Sequence, residues 1–377
     1  MSNRASSPAD GSLRVLHGPC NVGNQPWVLS RAERALGVRS DLVVNYGTWL
    51  GYPSDLQLGT CGRKSLKSIV ARTAFAATAP FRYDVLHYYF GRSFFCWDDF
   101  GRRNPLWFAD LRLARKLGRK VFMTLQGCDV RLSDASSAAN EITTCHVGNC
   151  QAAPTCRASL DAARRDLIAN QLPLLDRVFI LNPELGHFVP GATFLPYSSV
   201  DIDRFTPSLP RTEGPVRIVH APSDPHMKGT RHVLAAIESL RTRHDIDFRL
   251  VQNLPHEEAL ALYGWADIVV DQLLAGWYGG LAVEVMAMGK PVVCYIREAD
   301  LRHAPPRMVA ELPILRATPS TLETDLERMI GQRRQWPELG RQARAFVERW
   351  HDPARIAKAM VDAYLDPNSS FRLNHDS

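Results

Sequence analysis

Two α/β domains with largely parallel sheets, facing each other across a cleft, are what this sequence predicts. Three observations carry the prediction. Strand-like apolar runs alternate with helix-like segments almost to the end of the chain. Its 377 residues exceed what one compact core usually organises, and a 45% hydrophobic composition supplies apolar material for two. Between residues 195 and 215 the periodicity lapses, where Pro196, Pro207, Pro210 and Pro215 disfavour both helix and ladder, and beyond them the alternation restarts.

In the first half, the apolar period predicts strands at 13–17, 42–46, 85–89, 121–125 and 178–181, with helices at 26–36 and 111–117. The second half predicts strands at 216–220, 248–252, 268–271 and 292–295, with helices at 230–240, 257–263 and 282–288. Each set is Rossmann-like. The tail between 339 and 365 reads as two helices broken near Asp352 and Pro353, a cap and first-turn pair for the last one. The expected organisation is a disordered tail at 1–12, one domain at 13–200, a second at 201–350, and a stretch at 351–377 whose helix returns to the N-terminal domain before a final tail.

Composition narrows the function classes. Every apolar run is broken well short of the ~20 residues that span a bilayer, so no transmembrane helix is expected. The first dozen residues lack the apolar core of ~7–15 residues that a secretory signal carries. Eight cysteines scattered through a large chain without that signal point to a reducing compartment, hence the cytoplasm. A net charge of +6 suits phosphorylated ligands or an anionic membrane surface and adds little to a case for nucleic-acid binding.

Two segments carry chemistry. In the first, an apolar strand ends in Asp271, the loop Gly276-Trp277-Tyr278-Gly279-Gly280 follows, and a helix then opens with Glu284 within its first turn or so. Ligands of open α/β sheets bind beyond the carboxyl ends of strands, where loop glycines let the backbone approach and a helix N-terminus offers N–H groups to anions. Glu284 would accept hydrogen bonds from paired hydroxyls; a capping glutamate in a strand-to-helix turn fits the local pattern equally well. In the second segment, Ser223 to Thr230 leads from strand 216–220 into a helix. There Lys228 would neutralise phosphate oxygens, while Gly229 and Thr230 would expose backbone N–H and a hydroxyl. A solvated loop lysine is the plainer alternative.

Together these segments resemble glycosyltransferase family 4, retaining enzymes of the GT-B fold that use nucleotide-diphosphate sugars. The resemblance runs from about residue 216 to 365. It rests on Met227-Lys228-Gly229-Thr230, then Pro255-His256-Glu257-Glu258 with Tyr263 and Ala266-Asp267-Ile268, and above all Tyr278-Gly279 followed by Val283-Glu284-Val285-Met286-Ala287-Met288-Gly289-Lys290-Pro291. It implies an N-terminal acceptor domain and a C-terminal donor domain, with Lys228 on the donor diphosphate, Glu284 on the nucleotide ribose, and Tyr278, Gly279 and Gly280 close to donor phosphate and sugar. Ser223 would add one hydrogen bond. The family often has a glutamate where this chain has Gly276, and an arginine in the stretch here occupied by Ala221-Pro222-Ser223, for which Arg231 or a residue of the other domain would compensate.

In the N-terminal half, the resemblance places a glycine-bearing loop near donor phosphates and acceptor, which makes Gly23 and Asn24 candidates; a plain strand-to-helix turn is the alternative. Gln126-Gly127-Cys128-Asp129 resembles a family stretch in which a histidine stands at the position of Gln126. Asp129 and Arg131 would orient acceptor hydroxyls or form a local ion pair. His87, at the end of strand 85–89, is a second catalytic candidate, with a packed core histidine as the alternative. Front-face attack needs no protein base, since an oxygen of the leaving diphosphate can take the acceptor proton.

Cys145, His146, Cys150 and Cys156 could supply four zinc ligands, but adjacent ligands strain tetrahedral geometry and free loop thiols are the simpler reading. No metal is otherwise demanded, since there is no obvious Asp-x-Asp pair, and no cofactor is expected beyond the nucleotide-sugar donor. Arg63, Lys64, Lys67 and Arg72 punctuate a helical stretch with Leu66, Ile69, Val70 and Phe75, either a peripheral membrane contact or a solvated helix. The expected partners are therefore a nucleotide sugar, a glycan or lipid-linked acceptor and a membrane face, with no nucleic acid. The expected function is sugar transfer in polysaccharide or glycoconjugate synthesis; a silent sugar-nucleotide binder and a GT-B-type epimerase are the alternatives.

Overall fold

The computed structural model describes residues 12–47, 51–59, 65–96 and 106–373. Its contacts divide the chain into two compact units: Met1–Leu125 with Asn170–Phe179 and Pro353–Ser377, and Gln126–Ala169 with Ile180–Asp352. The boundary expected near residue 200 thus lies inside the second unit.

In the first unit the strands are β1 (Arg14–Gly18), β2 (Arg39–Val44), β3 (Leu56–Gln57), β4 (Val85–Tyr89), β5 (Lys120–Leu125) and β6 (Arg177–Ile180). They lie in the order β3-β2-β1-β4-β5-β6, the doubly wound arrangement. Pairing is parallel, with His17 beside His87 and His87 beside Phe122. Helix Gln25–Ala35 turns Val28, Leu29 and Glu33 inward and packs against the last helix, Pro353–Leu365. The buried face of that last helix, Ile356, Ala357, Met360, Ala363 and Tyr364, closes the core of this unit.

A polar chain runs through that core. His17 bonds the Tyr89 hydroxyl through Nδ1 (2.8 Å) and the Glu33 carboxylate through Nε2 (2.8 Å), and Ser40 donates to the same Glu33 oxygen (2.6 Å). His87 bonds Tyr364 Oη and Thr124 Oγ1, each at 2.7 Å, and stacks on Tyr89. Wholly buried, with His17 nearby, it is pushed well below the usual histidine pKa. Both ring nitrogens are satisfied inside the protein, so His87 has the surroundings of the packed core histidine that was the alternative to a catalytic role.

The second unit holds β7 (Thr193–Phe194), β8 (Val216–His220), β9 (Ile246–Leu250), β10 (Ile268–Val270), β11 (Val292–Cys294) and β12 (Ile314–Arg316). Its five-stranded sheet runs β12-β11-β10-β8-β9, all parallel. Ile218, Val233, Ile237, Ile268, Val270, Val293, Leu322, Leu326 and Trp336 form its core. The proline-rich stretch is bound to this unit: Arg344 Nη1 donates to the carbonyls of Phe205 (2.8 Å) and Ala287 (2.7 Å), and Ser208 N–H to Met288 (2.8 Å). Prolines that remove ladder hydrogen bonds leave backbone carbonyls for a side chain to satisfy. Strands β3 and β7, two residues each, are too short to set a period; the sequence reading includes neither of them, nor β12, nor helix Leu322–Gly331.

Candidate active site

The order β12-β11-β10-β8-β9 has a consequence for ligands. The chain leaves β8 toward β9 on one side and returns to β10 on the other, so the carboxyl ends of β8 and β10 flank a topological switch point, where open α/β sheets bind ligands. The segment after β8 carries Lys228. The segment after β10 carries Asp271, Gln272 and the glycine loop.

Asp224 opens the first segment by accepting from the N–H groups of His226 (2.9 Å) and Met227 (3.0 Å), which starts the short helix Pro225–Lys228. Gly229 ends it at φ 78°, a left-handed conformation that glycine adopts freely, and helix Thr230–Leu240 begins there. The turn aims Lys228 back across the sheet edge. Its ammonium donates to Gln272 Oε1 and stands 3.8 Å from Asp271 Oδ1. Gln272 is itself held by the Trp277 carbonyl, and Asp271 Oδ2 accepts the Gly279 N–H at 2.8 Å. A Cβ on Gly279 would come within 3.3 Å of Lys228 Nζ.

Gly279 is the N-cap of helix Gly280–Ala287 and, as a glycine, makes no side-chain cap bond of its own, while its N–H is held by Asp271. Ser199 Oγ, buried and without a hydrogen-bond partner among the described residues, lies 3.8 Å from where a Cβ on Gly280 would be. An ammonium, a helix N-terminus whose N-cap is a glycine and a spare hydroxyl therefore meet at the switch point, a combination suited to an anion.

Several expected site residues are engaged elsewhere. The Thr230 hydroxyl is bonded to His220 Nε2 (2.9 Å), whose Nδ1 donates to the Val270 carbonyl (2.8 Å). Burial lowers the His220 pKa, so the neutral ring takes the hydroxyl proton and Thr230 has none to donate to a phosphate. Tyr278 is a core residue. Its ring packs against Trp277, and its hydroxyl donates to His351 Nε2 (2.9 Å), a ring held neutral by burial, which lowers its pKa to about 4. Arg231 points to Asn149 Oδ1 (2.7 Å) and so does not stand in for an arginine beside Lys228. Ser223 is exposed and Gly280 begins the helix.

Glu284 is the fifth residue of helix Gly280–Ala287, one step beyond the first turn expected for it. It accepts a hydrogen bond from His256 Nε2 at 2.9 Å, and this bond, opposed by burial, raises the His256 pKa. A raised histidine contributes its pairing in full below about pH 6.5 and loses it as pH climbs through the folded-state value. The His256 ring should accordingly titrate above 6.5 in an NMR pH series and fall back toward 6.5 in Glu284→Gln; a midpoint at or below 6.5 in the unaltered protein would contradict the pairing.

Asp129 closes its own loop. Its oxygens accept from Gly127 N–H (2.7 Å) and Gln126 N–H (2.9 Å), so it caps a turn and is not poised for catalysis. Arg131 forms no pair with Asp129 and is not available to an acceptor; it donates to Glu184 through Nε (2.8 Å) and Nη2. Glu184 also pairs with Arg297 (3.4 Å), which holds Asp300 (2.9 Å) and donates to the Ile142 carbonyl (2.7 Å). Burial opposes the charge of both guanidiniums, but Glu184 and Asp300 outweigh it and raise their pKa values. Gly276, at φ 80°, rests on this network: a Cβ there would lie 2.9 Å from Arg297 Nη1.

Gly23 and Asn24, both left-handed, form the turn into helix Gln25–Ala35, and Gly23 faces open space. The zinc grouping does not form: His146 Nε2 is bonded to the Asn140 and Glu141 carbonyls, and among the described residues no three His, Cys, Asp or Glu side chains are grouped to hold a metal. Arg63 and Lys64 lie outside the described residues. Among the described residues no helix is long and apolar enough to cross a membrane.

No family model and no curated protein matches the sequence. Solved structures do. Sucrose-phosphate synthase from Thermosynechococcus elongatus superposes with a TM-score of 0.56 at 16% identity, covering 94% of this chain and 99% of that one. A glycosyltransferase from Rickettsia africae gives 0.56 at 13%, covering 95% and 100%. Anabaena HepE, solved in complex with UDP-glucose, gives 0.56 at 12%, covering 93% and 98%. The chain has the GT-B fold, matched over nearly its whole length.

Proposed function

We propose that this chain is a retaining glycosyltransferase of the family 4 type, which moves a sugar from a nucleotide-diphosphate donor to the hydroxyl of a glycan or similar acceptor. The observation that carries the reading is the position of the Lys228 ammonium against Gly279, at the start of helix Gly280–Ala287 and on the switch point of the second sheet. The GT-B neighbours, HepE with UDP-glucose among them, support it.

In this reading the diphosphate lies across the helix start, where Lys228, backbone N–H groups and the Ser199 hydroxyl meet the charge that develops as the glycosidic C–O bond to phosphate breaks. Glu284, held by His256, accepts hydrogen bonds from ribose hydroxyls. The acceptor oxygen forms the new bond on the face the diphosphate leaves, and its proton passes to a phosphate oxygen. The internal commitments of His87 and Asp129 agree with a reaction that asks no protein base for that proton.

Losing one charge-assisted contact should cost about 1.5–3 kcal/mol. Lys228→Ala and Glu284→Ala are therefore expected to weaken UDP or GDP binding roughly tenfold or more by titration calorimetry in protein that still folds cooperatively; Lys228→Ala should also lower the melting temperature, because the buried Asp271 carboxylate loses the ammonium it faces. Full affinity in both variants would refute the site. With a panel of nucleotide sugars and acceptors, release of nucleoside diphosphate and an NMR-detected product of unchanged anomeric configuration are expected. Donor binding without release would favour the silent binder, for which the engaged Tyr278, Arg131 and Asp129 are the motive.

A further inference from the structure

Strand β9 (Ile246–Leu250) is the outermost strand of the five-stranded sheet: it pairs with β8 on one side and, among the described residues, with no strand on the other. Its register with β8 runs without a bulge from Val216 beside Ile246 to His220 beside Leu250. At the ends of that register Val216 N–H donates to the Asp245 carbonyl (2.8 Å) and Val251 N–H to the His220 carbonyl (2.9 Å), so the odd-numbered residues here turn their backbone groups to β8. Ile246, Phe248 and Leu250 turn theirs outward, where Arg241 Nε lies 3.4 Å from the Ile246 carbonyl. A row of outward N–H and C=O groups is a template for another strand.

The side chains say which strand. Native sheet edges are blunted by proline, by bulges or by charges that repel a copy, and Ile246-Asp247-Phe248-Arg249-Leu250 has none of these. It reads apolar, acidic, aromatic, basic, apolar, an order that is self-complementary when a second copy pairs antiparallel about Phe248. Phe248 of one copy then exchanges two hydrogen bonds with Phe248 of the other, and Ile246 and Leu250 do the same, about six bonds in all. Asp247 of each copy stands opposite Arg249 of the other, and a register shifted by two residues would set Asp247 or Arg249 against itself. Within the strand Asp247 and Arg249 are 3.7 Å apart and about half exposed. Arg249 also lies over Trp265 (3.7 Å), as does Arg217, the neighbour of Asp247 on β8, at 5.0 Å. Exposed pairs of this kind contribute little, so re-pairing across the edge costs little. Farther out, Arg241, Asp245 and Arg243, the last shared with Glu323 and Glu327, precede the strand, and His256, Glu257 and Glu258 follow it. An antiparallel copy turns the more basic flank toward the more acidic one.

We propose that two copies of this chain associate through β9, antiparallel about Phe248, joining their five-stranded sheets into one. The association does not rest on the donor-site reading, and a failure of either leaves the other standing. Sedimentation velocity of the full chain over about 1–100 µM should show a concentration-dependent species of twice the 42.2 kDa chain mass. Asp247→Lys leaves only positive charge on the strand and Arg249→Glu only negative, so each alone should weaken self-association roughly tenfold or more. Mixed in equal amounts, the two variants should associate again, a rescue that neither misfolding nor a contact elsewhere on the chain would produce. In hydrogen exchange the Phe248 and Leu250 amides should gain protection only where the dimer forms, whereas the Asp247 and Arg249 amides, turned to β8, are protected throughout. A chain that stays monomeric across this range, single variants that associate like the unaltered protein, or a mixture that stays monomeric overturns the proposal. Protection of the Phe248 amide at every concentration also overturns it, in favour of another segment of the same chain lying on this edge.

Discussion

Glu184→Ala should be among the most destabilising single substitutions in this protein, at about 3–5 kcal/mol. Glu184 is 4% exposed, and it joins two guanidiniums that are nearly as deep, Arg131 at 2.8 Å and Arg297 at 3.4 Å. Taking charges out of water is costly, and the cost is met only while each guanidinium has a carboxylate partner. Arg297 would keep Asp300, but among the described residues Arg131 would keep only a contact to the Cys128 thiol (3.4 Å) beside its buried charge. Urea denaturation should show the loss as a lower midpoint. Glu184→Gln, which retains one acceptor oxygen, should cost less. A midpoint for Glu184→Ala equal to that of the unaltered protein would mean that Arg131 finds water or another partner.

Gly276→Ala is expected to cost about 2–4 kcal/mol, the sum of a left-handed backbone penalty and overpacking. Gly276 has φ 80°, and the new Cβ would lie 2.9 Å from Arg297 Nη1, 3.0 Å from Cζ and 3.2 Å from its Cβ. Arg297 cannot swing aside cheaply, because Asp300 and the Ile142 carbonyl hold it. Gly276→Glu meets the same obstacle and is expected to cost at least as much. Combining Gly276→Ala with Arg297→Ala removes the two nearest overlaps and leaves the 3.2 Å contact to Cβ, so the combined cost should be less than the sum of the two single costs. Strict additivity by denaturant melts would show that Arg297 is not what excludes a side chain at 276.

Most strands and the longer helices are legible in the sequence because their apolar periods are local. Val85–Tyr89, Val216–His220 and helix Thr230–Leu240 have the predicted bounds. Lys228 is legible for a related reason: it closes a strand-to-helix connection, and the carboxyl ends of parallel strands are where ligands gather. Asp271, named only as the end of a strand, turns out to tether Gly279 and face Lys228.

The partners of these residues were not legible. Gln272 lies 44 residues from Lys228, and Glu184 lies 53 from Arg131 and 113 from Arg297. His256 was noticed as part of a resembling run, but its bond to Glu284, 28 residues on, is made by two helices meeting in space. Tyr278, His87 and Asp129 have residue types and positions that suit catalysis, yet each spends its polar atoms on internal partners that no local pattern announces.

By itself, then, the sequence determined where strands end, where glycines let the chain turn, and that a lysine and a glutamate follow two neighbouring strands. These are properties of short windows, set by side-chain periodicity and backbone sterics. Only the tertiary structure decided which polar side chains remain free for a ligand. That depends on burial and on hydrogen bonds between residues far apart in the chain, and a buried polar group takes whatever partner the packing brings within about 3 Å.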